Sequence, residues 1–92
     1  VRVADNEGGE SELAVDGMFV AIGHAPDNDI FSSLIDLDET GYADSDESCV
    51  TRTPGVFVAG DCRKKAVRQL TTAAADGSAA ALAACRYIDS LN

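Results

Sequence analysis

The sequence predicts an α/β domain built from short strands and one long C-terminal helix. Two apolar runs, residues 18–22 and 56–59, each end at a glycine, which is typical of strands buried on both faces. From about residue 67 to residue 90, apolar residues instead recur every three or four positions, which predicts a helix. With 92 residues, 46% hydrophobic and 25% charged, the chain matches one small globular domain.

Two strands are predicted at the start of the chain, at residues 1–4 and 11–15. The loop between them contains Asn6 and the pair Gly8 and Gly9, which suit a hairpin. The first apolar strand, at 18–22, comes next.

Regular structure is expected to stop at Pro26. Asp27 or Asn28 can then cap a short helix, and residues 41–46 are a candidate edge strand. The second apolar strand, at 56–59, follows a turn.

The long helix is predicted to carry one apolar stripe of mostly small residues. Gly77 lies within it, and a glycine in a helix interior costs about 1 kcal/mol relative to alanine, so we expect a tight packing contact there. The first N–H groups of the helix lack intrahelical partners and carry partial positive charge, to which Arg68 adds a full charge. The stripe comprises Leu70, Ala74, Gly77, Ala81, Ala84 and Ile88.

The net charge of −9 opposes binding to nucleic acids or to anionic membranes, because both require a positive surface. No apolar run approaches the roughly 20 residues of a membrane span. Four of the seven basic residues nevertheless fall between positions 63 and 68, just before the helix. This basic cluster either receives an anionic ligand or belongs to a solvated loop, and the sequence leaves both readings open.

The cysteines and the single histidine indicate neither a metal site nor a disulfide framework. Cys49, Cys62 and Cys85 are widely spaced, without a Cys-x-x-Cys pair, and we expect them to be structural or incidental. His24 lies in a Gly-His-Ala-Pro turn and is expected to serve that turn rather than catalysis.

The most informative segment is TPGVFVAGD at residues 53–61, a strand that ends on Gly60 and presents Asp61. In open α/β sheets, ligands bind outside the carboxyl ends of strands, so this corner is a candidate cofactor site. Together with DGMFVAIGHAP (16–26), LDETGY (37–42) and RQLTTAAADG (68–77), in this order, the segment resembles the C-terminal part of the low-molecular-weight thioredoxin reductases. These belong to the pyridine-nucleotide-disulfide flavoprotein family.

The resemblance implies a partial FAD/NAD(P)-binding three-layer fold, with residues 1–16 ending an NADPH domain and 17–92 closing the FAD domain. In the intact enzyme, electrons would pass from NADPH through FAD and a Cys-x-x-Cys pair to thioredoxin. Asp61 would bind a ribityl hydroxyl and Gly60 would let the backbone approach. Arg68 and Gln69 would lie against the flavin, and N–H groups around Gln69 and Leu70 would face its pyrimidine edge. Cys62 and the basic loop after it depart from the family pattern.

Two motifs of such enzymes do not occur in the chain: the Gly-x-Gly-x-x-Gly phosphate loop and the redox Cys-x-x-Cys. We therefore expect the 92 residues alone to be inactive and to bind FAD weakly or not at all. We also expect a homodimer or a swapped arrangement, formed through exposed strand edges and the Ala/Gly face of the helix. The expected location is the cytoplasm. Two alternatives stay open: a related flavoprotein reductase with another acceptor, such as a ferredoxin–NADP or peroxiredoxin-linked enzyme, and a non-catalytic acidic interaction domain.

Overall fold

The computed structural model describes all 92 residues and contains four regular elements. Strands β1 (Arg2–Ala4) and β2 (Glu10–Glu12) pair antiparallel, a 3-10 helix spans Asp29–Phe31, and helix α1 spans Leu70–Ser90. The remaining chain consists of turns and isolated bridges. A long C-terminal helix with short strands agrees with the predicted fold class, but only the first two of the five predicted strands form.

The predicted N-terminal hairpin is confirmed. Val3 lies opposite Ser11, and the intervening loop is closed by Asp5, whose Oδ1 accepts the N–H groups of Glu7 (2.9 Å) and Gly9 (2.8 Å). The second strand begins one residue before the prediction and ends three residues before it. All residues of both strands are exposed, so the hairpin rests on local bonds alone.

The strand predicted at residues 18–22 is wrong for this chain. Residues 14–27 make no backbone–backbone hydrogen bond, and the side chains of Phe19 and Ile22 are 102% and 91% exposed. A strand needs a neighbour to bind its N–H and C=O groups, and no other segment of these 92 residues pairs with this one. The apolar run is therefore extended but unpaired.

A small core holds the middle of the chain together. Ile35, Ala43 and Val58 are buried, and they pack against the half-buried Leu37, Val56 and Cys62. The side chain of Asn28, also buried, donates to the carbonyls of Gly41 (3.1 Å) and Cys62 (2.9 Å). Asn28 thus precedes the 3-10 helix as predicted, but its amide joins two loops instead of capping the helix.

Around this core, the chain forms only isolated β-bridges where strands were predicted at 41–46 and 56–59. Ala43 pairs with both Leu37 and Arg63, and Phe57 pairs with Val50. Turns at Gly41 and Gly55, both with positive φ, redirect the chain after one paired residue. The two segments are adjacent in space without forming a continuous sheet.

Helix α1 begins three residues after its predicted start and buries a different face from the predicted stripe. Asp76 is buried and Tyr87 half-buried, whereas Leu70 is 88% exposed and a Cβ added to Gly77 would meet no atom within 4 Å. The tight contact predicted at Gly77 is therefore absent. Alanines occupy both faces at the same spacing, so the pattern alone could not select the face that packs.

The molecule is elongated, measuring 65 × 26 × 20 Å with a radius of gyration of 19.2 Å. A compact domain of this length would have a radius of gyration of about 12 Å. Only seven of the 92 residues are buried. None of the helices combines the length and apolarity needed to cross a membrane.

Candidate functional site

An open cleft of about 490 Å³ brings together two residues of the predicted site. Asp61 and Arg68 face the turn that contains His24, across a distance of 37 or more positions in sequence. Gly60 and the start of α1 lie next to these residues along the chain. The lining comprises His24, Ala25, Pro26, Tyr42, Asp61, Cys62 and Arg68.

The backbone of Gly60 has a conformation that residues other than glycine adopt only at a cost in free energy. Its φ is 89°, in the left-handed region, and a Cβ placed on it would meet no atom within 4 Å. Its N–H donates to Asp76 Oδ2 at 2.9 Å. The chain thus turns sharply at Gly60, with open space where a side chain would lie, and the hydrogen bond to Asp76 joins this corner to helix α1.

The carboxylate of Asp61 has no partner within the chain. The side chain is exposed and neither oxygen takes part in a hydrogen bond or an ion pair within the chain. Its backbone carbonyl, in contrast, accepts from Arg68 Nε at 3.0 Å. The carboxylate is free to accept hydrogen bonds from hydroxyl groups of a ligand in the cleft.

Arg68 is held against the protein and does not extend into solvent. Its guanidinium carbon lies 3.7 Å from the centre of the Tyr42 ring, in a cation–π contact. Besides its bond to Asp61, the guanidinium donates through Nη2 to the Arg63 carbonyl at 3.3 Å. One positive charge is therefore fixed beside the corner.

The N-terminus of α1 has open backbone donors. Gln69, the N-cap residue, gives its N–H to Thr72 Oγ1 at 3.0 Å, so that amide is already used inside the chain. The N–H groups of Leu70 and Thr71 have no acceptor. These two amides carry the partial positive charge of the helix end that the sequence predicted around Gln69 and Leu70.

An ionic cluster of three buried side chains and one exposed side chain, which was not predicted from the sequence, lies behind the corner. Asp76 Oδ1 accepts from Arg63 Nη2 (2.8 Å), and Asp76 Oδ2 accepts from Arg63 Nε (2.9 Å) and Lys65 Nζ (2.8 Å). Glu47 binds Arg63 Nη2 from the other side at 3.0 Å. We call these four residues the Asp76 cluster.

The Asp76 cluster also changes the electrostatics of the basic segment. The hydrogen bonds from Arg63 hold the pKa of the Asp76 carboxyl far below its usual range, and the same bonds raise the pKa of Arg63. Lys64 pairs with Asp44 at 3.7 Å. Of the basic cluster at 63–68, only Arg68 lines the cleft, so most of its charge serves the chain itself. An aspartate inside an alanine-rich helix was the signal that could have suggested this.

The three cysteines form no disulfide. Cys49 is fully buried, with Sγ 3.6 Å from the Asp76 carbonyl, and burial raises the pKa of its thiol. Cys62 Sγ donates to the Ala59 carbonyl at 3.5 Å, and Cys85 is exposed on α1. No group of three His, Cys, Asp or Glu side chains is arranged to hold a metal ion.

A glycine corner after an apolar segment, followed by a carboxylate and a helix N-terminus, is an arrangement at which α/β folds bind ligands. Comparison with known families agrees: the pyridine nucleotide-disulphide oxidoreductase family matches residues 1–77, and the chain belongs to this family.

Several relatives are more specific. The chain is 45% identical over 86 residues to the thioredoxin reductase of Coxiella burnetii, covering 88% of this chain and 27% of that protein. It is 48% identical over 79 residues to a 34.2 kDa protein in the rubredoxin operon of Clostridium pasteurianum, covering 86% of this chain and 26% of that protein. The crystal structure of Lactococcus lactis thioredoxin reductase in the FR conformation superposes with a TM-score of 0.74 at 36% identity. This superposition covers 92% of this chain and 28% of the other.

The resemblance found in the sequence is therefore confirmed, as is the partial FAD/NAD(P)-binding α/β fold. The chain spans little more than a quarter of the length of these relatives.

Proposed function

We propose that this chain is part of an NADPH-dependent flavoprotein that reduces thioredoxin disulfide. Residues 17–92 would supply the closing part of its FAD-binding domain and residues 1–16 the end of its NADPH domain. Membership of the pyridine nucleotide-disulphide oxidoreductase family and likeness to proteins named thioredoxin reductase support this proposal.

The observation that carries the proposal is the free carboxylate of Asp61 at the mouth of the cleft. Its oxygens have no partner within the chain, the space above Gly60 is open, and a helix with two unused N–H groups at its start begins nine residues after Asp61. A flavin fits this set of groups, since its ribityl chain offers hydroxyl donors and its ring system offers acceptors. Asp61 would bind a ribityl hydroxyl, Gly60 would allow close approach, and Leu70 would present its amide.

When bound, FAD would supply the transfer of an electron pair from NADPH towards the disulfide. The residues of this chain would bind and orient that cofactor. The N–H groups at the start of α1 and the fixed charge of Arg68 would offset negative charge at the pyrimidine edge of the ring. Gln69 would lie against the ring, and because its own N–H is used by Thr72, the N–H groups of Leu70 and Thr71 would be the ones that face the cofactor.

The proposal is tested with the protein encoded by the complete reading frame that contains these residues. We expect it to copurify with flavin and to oxidise NADPH in the presence of thioredoxin. Ferredoxin and a peroxiredoxin-linked acceptor serve as comparison substrates, and turnover with one of them but not with thioredoxin would favour the related reductases. Absence of flavin binding would contradict the whole proposal.

A point mutation tests the role of Asp61 itself. Asp61→Ala removes an acceptor of charge-assisted hydrogen bonds, each of which contributes about 1.5–3 kcal/mol, so FAD should bind roughly 10- to 100-fold more weakly. Asp44→Ala is the matched control, because Asp44 is an exposed carboxylate that pairs with Lys64 outside the cleft. Equal FAD affinity in both variants, measured by flavin fluorescence titration, would exclude the assigned role.

Further parts of the proposal concern the isolated chain and its surroundings. We propose that the 92 residues alone are inactive and bind FAD weakly or not at all, because the cleft supplies contacts to only part of the cofactor. Exposed apolar side chains such as Phe19 and Ile22 support a homodimer, to be checked by light scattering. Three unpaired cysteines are compatible with a cytoplasmic location.

A further inference from the structure

We propose that Asp76 is a positioning residue for the flavin corner. Its carboxylate fixes Gly60 and Asp61 relative to the N-terminus of α1, so that both groups can contact one cofactor molecule. This inference rests on the proposed function and adds to it a residue that does not line the cleft.

The carboxylate of Asp76 accepts four hydrogen bonds, three at Oδ2 and one at Oδ1. Oδ2 accepts the Gly60 N–H at 2.9 Å, Arg63 Nε at 2.9 Å and Lys65 Nζ at 2.8 Å, while Oδ1 accepts Arg63 Nη2 at 2.8 Å. Gly60, Arg63 and Lys65 all belong to the loop that leads from the corner to the helix. One helical side chain therefore holds this loop at three separate residues.

Burial makes this link stiff and specific. Asp76 and Arg63 are 4% and 1% exposed, and the Lys65 side chain is 5% exposed. The fourth member of the Asp76 cluster, Glu47, is 87% exposed and binds Arg63 from the solvent side, so the buried part of the cluster is Asp76 with its two cations. Removing the acceptor would leave the donors of three residues without their common partner in a space with little water.

The position of Asp76 along the helix connects the Gly60 corner to the N-terminus of α1. Asp76 lies six residues after Leu70, so the carboxylate is joined to the open amides of the helix end through about 9 Å of rigid helix. The Gly60 N–H is bound at the other end of the link. Arg68 also holds Asp61 in place, because its Nε donates a hydrogen bond to the Asp61 carbonyl. The two groups of proposed flavin contacts are thus held at one separation by bonds within the chain.

The test uses the flavoprotein encoded by the complete reading frame, with Asp76→Asn as the main variant. Asparagine has the same shape but only one acceptor oxygen, and its NH₂ group would face Arg63 or the Gly60 N–H. We expect the FAD dissociation constant to rise about tenfold or more, with a changed visible circular dichroism of the flavin that remains bound. Glu47→Gln is the matched control, since it removes a carboxylate from the same cluster without touching Gly60.

The control separates positioning from general stability. Both variants are compared by thermal unfolding and by FAD titration at a temperature at which both are folded. Weakened FAD binding in Asp76→Asn alone supports the inference, whereas equal FAD affinity and equal flavin spectra in the two variants overturn it. Failure of the unmodified protein to bind flavin would instead overturn the proposed function and, with it, this inference.

A second measurement needs no mutation, in case Asp76→Asn does not fold. Gly60 lies outside regular secondary structure, so its amide would exchange quickly unless the bond to Asp76 protects it. With ¹⁵N-glycine labelling of the unmodified protein, we expect its hydrogen exchange to be roughly 100-fold slower than in an unfolded chain. Exchange at the unprotected rate would overturn the inference.

Discussion

Replacing Arg63 by methionine should remove a large share of the stability of this chain. The guanidinium makes five hydrogen bonds, two to Asp76, one to Glu47 and one each to the carbonyls of Ser45 and Lys64. Methionine fills similar space but donates none of them. Asp76 would then be a buried carboxylate with one cation, Lys65, in place of two.

The magnitude follows from the burial of the pair. Breaking a buried ion pair by removing one partner costs about 3–5 kcal/mol. Lys65 Nζ remains 2.8 Å from Asp76 Oδ2, which favours the lower half of this range, about 3–4 kcal/mol. A chain of this length has a total unfolding free energy of about 5–14 kcal/mol, and only seven buried residues place it near the lower end. Arg63→Met should therefore leave little stability.

Urea unfolding followed by far-ultraviolet circular dichroism measures the effect. With an m-value of about 1–2 kcal/mol per molar, the midpoint should fall by roughly 1.5–4 M. Arg86→Met is the control, because Arg86 is exposed on α1 and makes no hydrogen bond or ion pair, so its effect should stay within about 0.5 kcal/mol. If the two variants differ by less than about 1 kcal/mol, the Arg63–Asp76 pair only repays its desolvation and the reasoning fails.

Two further predictions use the same measurement. The pKa of Asp76 is lowered in the folded chain, so its carboxylate stabilises the fold above the ordinary carboxyl pKa of about 3.9. This stabilisation is lost as the pH falls towards the folded-state pKa. The unfolding free energy should therefore decrease once the pH is lowered past about 5. Asp76→Asn should flatten this drop, and an unchanged acid slope would contradict the assignment. Gly60→Ala should destabilise by about 1–2 kcal/mol because its φ is 89°, whereas Gly77→Ala should stabilise by up to about 1 kcal/mol, since it lies in a helix with free space around it. Effects of the same sign in both glycine variants would refute this.

The elements that the sequence predicted correctly are those determined by local interactions. The hairpin depends on Asp5 and the glycines of one short loop, and helix α1 depends on alanine-rich sequence and the Gln69–Thr72 contact at its start. The wrong strand at 18–22 has the composition of a buried strand, but pairing requires a second segment, and composition carries no information about whether one is present. Exposure of Phe19 is the physical result.

The candidate site was predictable in part for a similar reason. Gly60 and Asp61 adjoin along the chain, and their distance from Arg68 is fixed by a short loop, so a pattern of residues was enough to bring them together. Asp76 was missed because its partners, Arg63 and Lys65, lie 13 and 11 positions away on a loop without regular structure. Charge complementarity across such a loop cannot be read from periodicity.

The basic segment shows how a correct count of charges can still give an incorrect picture of a surface. Four cations ahead of a helix suggest an anion site, yet Arg63 and Lys65 neutralise Asp76 and Lys64 faces Asp44. Only Arg68 keeps its charge beside the cleft, and it is immobilised on Tyr42. A single fixed charge together with two helix amides suits a ligand edge with partial negative charge, whereas a phosphate would be bound better by several unpaired cations. The cations that are paired inside the chain thus order the corner without adding to the positive potential of the cleft.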